Sequence, residues 1–353
     1  MAPRMRVIEG GLKDAGALRF APPAAPFFDE QLVGVSADGT PSGQLARDMA
    51  VSLETARAFE QRGRQVAQTL SGKFAWTSVL WVSGVLAAVA GVAWAVLSGH
   101  LSYWVSIPVD AILIYAIFAT LHEATHDNIQ GRHTGWQWVN HLIGHISGFV
   151  LLAPFPGFRA LHLHHHQHTN DAKEDPDYWV KDSSYFRVIL RCLVIQPIYV
   201  WHLWKIARTP RIMRAFIWEC VYIASYIPII AAAFWFGFGK ELMLLWIVPA
   251  YFGVCLCPLM FDWPVHHPHD TKARYTGAAI LLFPRPLRPI MEYAFLGHSY
   301  HLMHHLYPRI PFYHYSTAYY ALEKELSTVN AKVVNVGLWP TPDVLAAPRP
   351  LAH

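Results

Sequence analysis

Residues 142–155 read LIGHISGFVLLAPF, and residues 156–168 continue PGFRALHLHHHQH. The first part is apolar but shorter than the roughly 20 residues that a helix needs to cross a bilayer. The second part carries His162, His164, His165, His166 and His168. If 142–155 crossed a membrane, the histidines before and after it would face opposite compartments and could not share a metal. Read as a re-entrant or interfacial helix, it keeps them all on one side. That reading decides the fold.

The composition agrees with a membrane setting. Hydrophobic residues make up 54% of the 353 and charged residues 15%, against roughly 25% charged in soluble domains. Aromatics reach 14%, with fourteen Trp, the residue that favours membrane interfaces. The net charge of +4 is too small to argue for nucleic acid. Cys192, Cys220, Cys255 and Cys257 form no CxxC pair and read as apolar thiols rather than a disulfide framework. The unusual count is 21 His, the commonest metal ligand.

Four stretches are long and apolar enough to span: 77–97, 101–121, 216–238 and 242–261. The links at 98–100 and 239–241 are short, so the spans pair into two hairpins. Lys and Arg crowd 159–214 and the N-terminal arm, which places both hairpin tips outside and everything else in the cytoplasm. The expected fold is therefore an all-α integral membrane protein, two hairpins under a cytoplasmic helical cap that carries the histidines. We divide the chain into an arm (1–70), with an amphipathic helix from about 44 to 70 marked by Leu45, Met49, Leu53 and Ala56, a membrane domain (71–325) and a tail (326–353), Pro-rich from Leu338. The arm has no apolar core of the kind a cleavable signal peptide needs. The run 188–204 holds Arg191 and reads as interfacial. Asp110, inside the second span, is costly there and reads as a buried hydrogen-bonded acid.

Three histidine boxes follow. His122-Glu-Ala-Thr-His126 lies at the cytoplasmic end of the second span, and positions i and i+4 share a helix face. His162, His165 and His166 form an HxxHH unit within Arg159–Asp171, with His168 placed to stand behind them. His301, His304 and His305 repeat that unit, with His298 three residues earlier. His266, in the Asp262–Asp270 stretch after the fourth span, offers one more ligand. Hydropathy puts all of these at one depth on one side, so two independent readings agree. Eight or nine imidazoles exceed the needs of one ion and suit two. Imidazole serves Zn, Cu, Fe and Ni, so ligand type alone leaves the metal open. Glu123, Asp127, Asp171, Asp175, Asp177, Asp262 and Asp270 lie close enough in sequence to take the free ring N–H groups.

With HxxxH, HxxHH and HxxHH set among four spans, the chain resembles the membrane fatty acid desaturase/hydroxylase superfamily over roughly 77–320. Residues 162–177 (HLHHHQHTNDAKEDPD) and 301–311 (HLMHHLYPRIP) look closest to bacterial fatty acid desaturases and carotenoid ring hydroxylases. The resemblance implies a di-iron centre (Fe2+/Fe3+) with O2 as co-substrate. Its ligands would be His122, His126, His162, His165, His166, His301, His304 and His305. Acyl-CoA desaturases complete the set with Asn-x-x-x-His; here Asp262 stands in the Asn place and His266 in the His place. The implied reaction is oxidation of a C–H bond of a long-chain lipid, with acyl desaturation preferred. Hydroxylation of a carotenoid or acyl chain, and oxidative decarboxylation to a terminal alkene, remain open.

Electrons must come from outside, because no GxGxxG follows a strand and no P-loop, haem or flavin module is visible. Arg187, Arg191, Lys205, Arg208, Arg211 and Arg214 set the topology and offer a surface for an acidic ferredoxin, itself supplied by a reductase. The setting expected is a bacterial inner membrane. Two other readings exist. A zinc protease would use His122, His126 and Glu123, but leaves both HxxHH units unexplained. A metal transporter would line a path between spans, yet these histidines sit beyond the span ends.

Overall fold

The computed structural model describes residues 43–182 and 184–337. The expected arm before residue 43 and the Pro-rich tail from Leu338 lie outside them. The chain divides into two compact units, Met1–Asp48 and Met49–His353; of the first, only the opening of α1 (Gly43–Leu70) is described. This helix covers the amphipathic stretch read from the sequence. It buries Phe59, Gly63 and Val66, at helical spacing. Glu60, one turn before, accepts from Arg274 Nε (2.8 Å) and Tyr275 Oη (3.1 Å).

Four helical segments are long and apolar enough to cross a membrane: Trp76–Leu97, Tyr103–Thr125, Pro210–Trp235 and Gly239–His266. The first is α2. The second is α3 (Tyr103–Ala116) continued by α4 (Phe118–Thr125). Each segment rises about 33 to 42 Å at 1.5 Å per residue, enough for the hydrocarbon core. Apolar side chains such as Trp76, Leu80, Trp94 and Ile227 are left exposed on the outer helices, as lipid contact requires. The inner helices pack closely: a Cβ at Gly253 would lie 3.1 Å from the Ala111 carbonyl.

Between the second and third spans come two bent pairs. α5 (Gln137–Val150) and α6 (Phe155–His168) meet at 98°, and α7 (Tyr185–Cys192) and α8 (Ile195–Ile206) at 76°. The first bend is made by sequence. Pro154 and Pro156 supply no N–H to continue α5. Gly144 and Gly148 leave room for the returning chain: a Cβ would meet the Phe155 ring at 2.9 Å or the Ala153 carbonyl at 2.6 Å. The second hairpin differs from expectation at its tip. The third span, α9 (Pro210–Trp235), ends at Gly237, whose φ of 89° suits only a residue without Cβ, and residues 239–241, expected as the link, already open α10 (Gly239–Leu242).

The fourth span is not a uniform α-helix. π-helical turns at Met243–Ile247 and Pro258–Asp262 flank α11 (Val248–Cys257). The second shifts the phase of α12 (Trp263–His266), so His266 rides on the last turn of the span itself. Beyond it come β1 (Ile280–Leu282), α13 (Arg288–Ala294), α14 (His301–Leu306), α15 (Tyr315–Thr328) and β2 (Val333–Asn335). β1 and β2 pair in parallel over three residues, a minor exception to an otherwise helical architecture. Arg187 and Arg191 both pair with Asp182 (2.6 and 2.9 Å), so two of the basic residues read as docking charges brace a local loop. Asp110 is buried with neither carboxylate oxygen hydrogen-bonded, contrary to the paired state expected. All four cysteines are free thiols.

Candidate metal centre

Nine imidazoles converge in two groups. In the first, His122 Nε2 lies 3.1 Å from His304 Nε2, and His126 Nε2 lies 2.9 Å from His162 Nε2. His166 Nε2 joins at 3.0 Å from His162 and 2.7 Å from His304. In the second, His301 Nε2 is 3.0 Å from His266 and 3.1 Å from His305, while His165 reaches His305 at 3.4 Å. Two tetrads, His122/His126/His162/His304 and His165/His266/His301/His305, each hold their donor atoms within 4.8 Å of one another. A neutral imidazole has a single N–H, so these contacts cannot all be hydrogen bonds. Nitrogens about 2.1 Å from a common ion and at right angles would sit about 3 Å apart. The spacing therefore fits ligation.

Helix geometry divides the boxes. α6 offers His162 and His166, one turn apart, to the first group and turns His165 to the second. α14 does the reverse, giving His304 to the first and His301 and His305 to the second. His122 on α4 and His126 at its end fill the first group, and His266 completes the second. The α5–α6 bend makes this possible, because it returns the chain to the level of His126. Arg159, at the start of the second box, holds Asp127 with two 2.9 Å bonds. Arg309 Nη1 donates to the His126 carbonyl (2.6 Å), tying the first box to the third.

The outward ring nitrogens are held in turn. Asp175 Oδ1 lies 2.8 Å from His165 Nδ1, and Asp177 Oδ2 lies 3.2 Å from it. Asp175 itself accepts from the Asn170 and Asp177 amides (2.6 and 2.9 Å). The Gly277 carbonyl meets His266 Nδ1 at 2.9 Å, and the Tyr315 hydroxyl meets His304 Nδ1 at 2.9 Å. The Asp175 and Gly277 contacts place a ring proton on Nδ1 of His165 and His266 and turn Nε2 inward, while the Tyr315 hydroxyl, which can donate or accept, orients the His304 ring. Burial, then neighbouring imidazole charge, pushes His301, His304 and His305 well below the usual histidine range, so they stay neutral and ready to ligate at neutral pH. His165 is the exception. Burial opposes its charge, but Asp175 and Asp177 outweigh burial and raise it to about 9.

The remaining site candidates are placed as follows. His298 is fully buried, its Nδ1 on the Leu296 carbonyl (2.9 Å) and its ring 4.6 Å from that of His122. Asp262 sits on no histidine nitrogen; the Tyr199 hydroxyl lies between it (3.4 Å) and Asp177 (2.8 Å). His168 is not brought to either group and lies against His164, ring centroids 4.3 Å apart and tilted by 47°, because its position on α6 lies on the face that carries His164. Glu123 points away from the metal groups. Its Oε1 accepts from Asn128 Nδ2 (3.3 Å) and the Phe312 amide (3.2 Å), which removes the base that a zinc protease would need.

An apolar cleft ends on the histidines. Phe118, Phe158, Leu161, Val254 and Phe261 form its walls, and His122, His162, His165 and His301 its end.

The sequence pattern of the family described as Fatty acid desaturase matches residues 101–334. The chain belongs to the fatty acid desaturase family. Among similar proteins is an sn-1 oleoyl-lipid 12-desaturase of Picosynechococcus sp., 26% identical over 55% of this chain and 48% of the relative. An sn-1 acyl-lipid omega-3 desaturase (ferredoxin) of Synechocystis sp. is 24% identical over 62% of this chain and 67% of its own length. An acyl-lipid omega-3 desaturase (cytochrome b5) of the endoplasmic reticulum of Arabidopsis thaliana is 26% identical over 60% of both chains. The chain thus spans about half the length of the first of these relatives. The matched desaturase region includes every histidine of both groups, and the protein is an integral membrane member of that family with a histidine core that could hold metal.

Sequence reading missed several of this desaturase-family site's supports: Asn170, Tyr199, Gly277 and Tyr315. It also passed over Glu219, a lone acid in the third span whose position alone was a signal.

Proposed function

We propose that the protein is an O2-dependent di-iron oxidoreductase that acts on a C–H bond of a long-chain lipid, with acyl desaturation as the outcome. The observation that carries this reading is the pair of imidazole groups at the end of an apolar cleft. Nine imidazoles suit iron, eight of them held neutral and His165 becoming so once an ion displaces its proton, and the cleft suits a hydrocarbon chain. The proposed ligands are His122, His126, His162, His166 and His304 for one ion and His165, His266, His301 and His305 for the other. Once loaded, the metal pair supplies the O2 activation and oxidising power that an unactivated C–H bond demands.

The chain's own residues do the rest. Asp175 and the Gly277 carbonyl hold ring protons on Nδ1 of His165 and His266 and so direct Nε2 to the ion, and Tyr315 orients His304. Asp177 and His298 support His165 and His122 from behind, and Asp262 is linked to them through Tyr199. Phe118, Phe158 and Phe261 exclude water and aim one segment of the chain at the centre. Which carbon is aimed decides the product. Positive charge on 159–214 supports a cytoplasmic site and cytoplasmic termini in a bacterial inner membrane. Two relatives carry ferredoxin or cytochrome b5 in their names, which supports a small external one-electron donor here. Residues 71–325 form the membrane domain in this reading, with 1–70 and 326–353 flanking it.

The test is mass spectrometry of lipids from a host expressing wild type or His304→Ala, with a ferredoxin system and iron determination on the purified protein. Loss of two hydrogens from a host lipid, only with wild type, supports desaturation. A gain of one oxygen, or loss of the carboxyl group, would replace it by hydroxylation or decarboxylation. Purified protein without iron would overturn the di-iron assignment.

A further inference from the structure

Glu219 lies on α9, in the third span, nine residues after its start. It is 6% exposed, and its Oε2 is fully buried without a hydrogen-bond partner. The carboxyl group lines the same cleft that ends on the histidines. Gly157 of α6 makes room for it, since a Cβ there would collide with Oε2. A buried polar group normally has a partner, and an acid among apolar walls is costly at membrane depth. Gln196 and Tyr199, which also line the cleft, donate elsewhere, to the Leu152 carbonyl and to Asp177. The missing partner must therefore enter with whatever fills the cleft.

We infer that Glu219 binds the oxygen function of the lipid substrate (a hydroxyl, a carboxyl or an ester carbonyl) and so fixes the attacked carbon by its distance from that oxygen. This rests on the reading of the cleft as a lipid-oxidising site. Gly157 precedes His162 and His165 on the same helix by five and eight residues, about 7.5 and 12 Å at 1.5 Å per residue. The chain between Glu219 and the metal groups thus spans several carbons, and attack falls within the chain rather than beside the oxygen. A carboxyl group accepts a hydrogen bond and, when protonated, donates one, so all three oxygen functions are competent partners. A plain hydrocarbon is not.

Two measurements test this on iron-loaded enzyme in detergent, the second with O2 and a reduced ferredoxin system supplied. The first is binding of hexadecanoic acid, hexadecanol, methyl hexadecanoate and hexadecane. Wild type is expected to bind at least one oxygenated chain about tenfold more tightly than hexadecane, and the tightest names the function. Glu219→Leu should erase that preference, and Glu219→Gln should retain most of it. The second is product analysis with chains lengthened at the methyl end. The oxidised position should stay constant when counted from the oxygen in wild type and scatter in Glu219→Leu. Removal of an unpaired buried acid should leave the unfolding temperature of Glu219→Leu unchanged or raised. A lowered unfolding temperature with unchanged binding preference would mean a purely structural acid and would overturn the inference, as would a position counted from the methyl end. The two readings fail separately. Preferential binding without any oxidation by iron-loaded enzyme sinks the proposed function and leaves Glu219 as a lipid-oxygen site. Oxidation that is identical in wild type and Glu219→Leu sinks the role of Glu219 alone.

Discussion

The second imidazole group is backed by two carboxylates on His165 and a backbone carbonyl on His266, whereas the first is backed by a phenol on His304; each group also has one buried Nδ1 without a partner, on His122 and on His301. Anionic partners raise the basicity of a ligating imidazole and lock its tautomer, while a neutral hydroxyl does less. Two groups built from the same residue type are thus unequal, and the second should hold its ion more firmly. That difference can be broken or sharpened by experiment.

The largest effect expected is loss of a ligand from either group. His304→Ala and His165→Ala should each lower turnover by on the order of a hundredfold or more, with the protein still recovered in the membrane fraction; near-normal product formation in either would remove that ligand. Next in size is Asp175→Asn. It should weaken metal affinity of the second group about 10- to 100-fold, seen as a drop from two ions per chain toward one when iron is limiting. Equal loss from both groups would erase the asymmetry. Tyr315→Phe should act on the first group alone and more mildly, about fivefold in affinity, as expected for one neutral hydrogen bond.

The smallest effect is on stability, and the two groups should show it with opposite sign in chelator-stripped protein. Burial, aided by Arg159 and Arg309, lowers His126 to about 3. Between about 6.5 and that value the unfolded chain binds a proton that the folded chain refuses, so stability is lost as pH falls. His165, raised to about 9, contributes fully below about 6.5 and loses its contribution as pH rises to about 9. Thermal unfolding at pH 5, 7 and 9.5 should therefore peak near the middle, and Asp175→Asn should flatten only the alkaline side. Restoring iron should remove the alkaline arm, because His165 ligates without its second proton, and should steepen the acid arm, because unfolding then releases the ion and takes up protons.

Much of this was readable in the chain. The four spans follow from apolar runs, and the 142–155 run was short enough to betray its return. The boxes follow from i, i+3, i+4 spacing. What spacing could not show is how each box divides, because His162, His165 and His166 share one side of α6 and only packing against α14 and α12 sends His165 the other way. The supports were hidden for a related reason. Asn170 meets the Thr271 and Gly277 carbonyls (2.7 and 2.8 Å), about a hundred positions on, and no local pattern marks such a pair. His168 shows the converse: it sits in the richest histidine stretch, yet its helical phase turns it away. The end of the fourth span was read short because the π-helical turn at Pro258–Asp262 keeps the helix going through two prolines to His266.

The crossing of the boxes has a consequence for how the protein is made. The first group draws His122, His126, His162 and His166 from the earlier half of the chain, but it closes only with His304. The second draws His165 early and cannot close before His301 and His305. A nascent chain emerging from the ribosome therefore carries no finished site until α14 has been synthesised and has docked. In the di-iron reading proposed above, the ions would therefore enter after translation, into a fold already threaded through its membrane, and a truncated or stalled chain would be left without a complete centre.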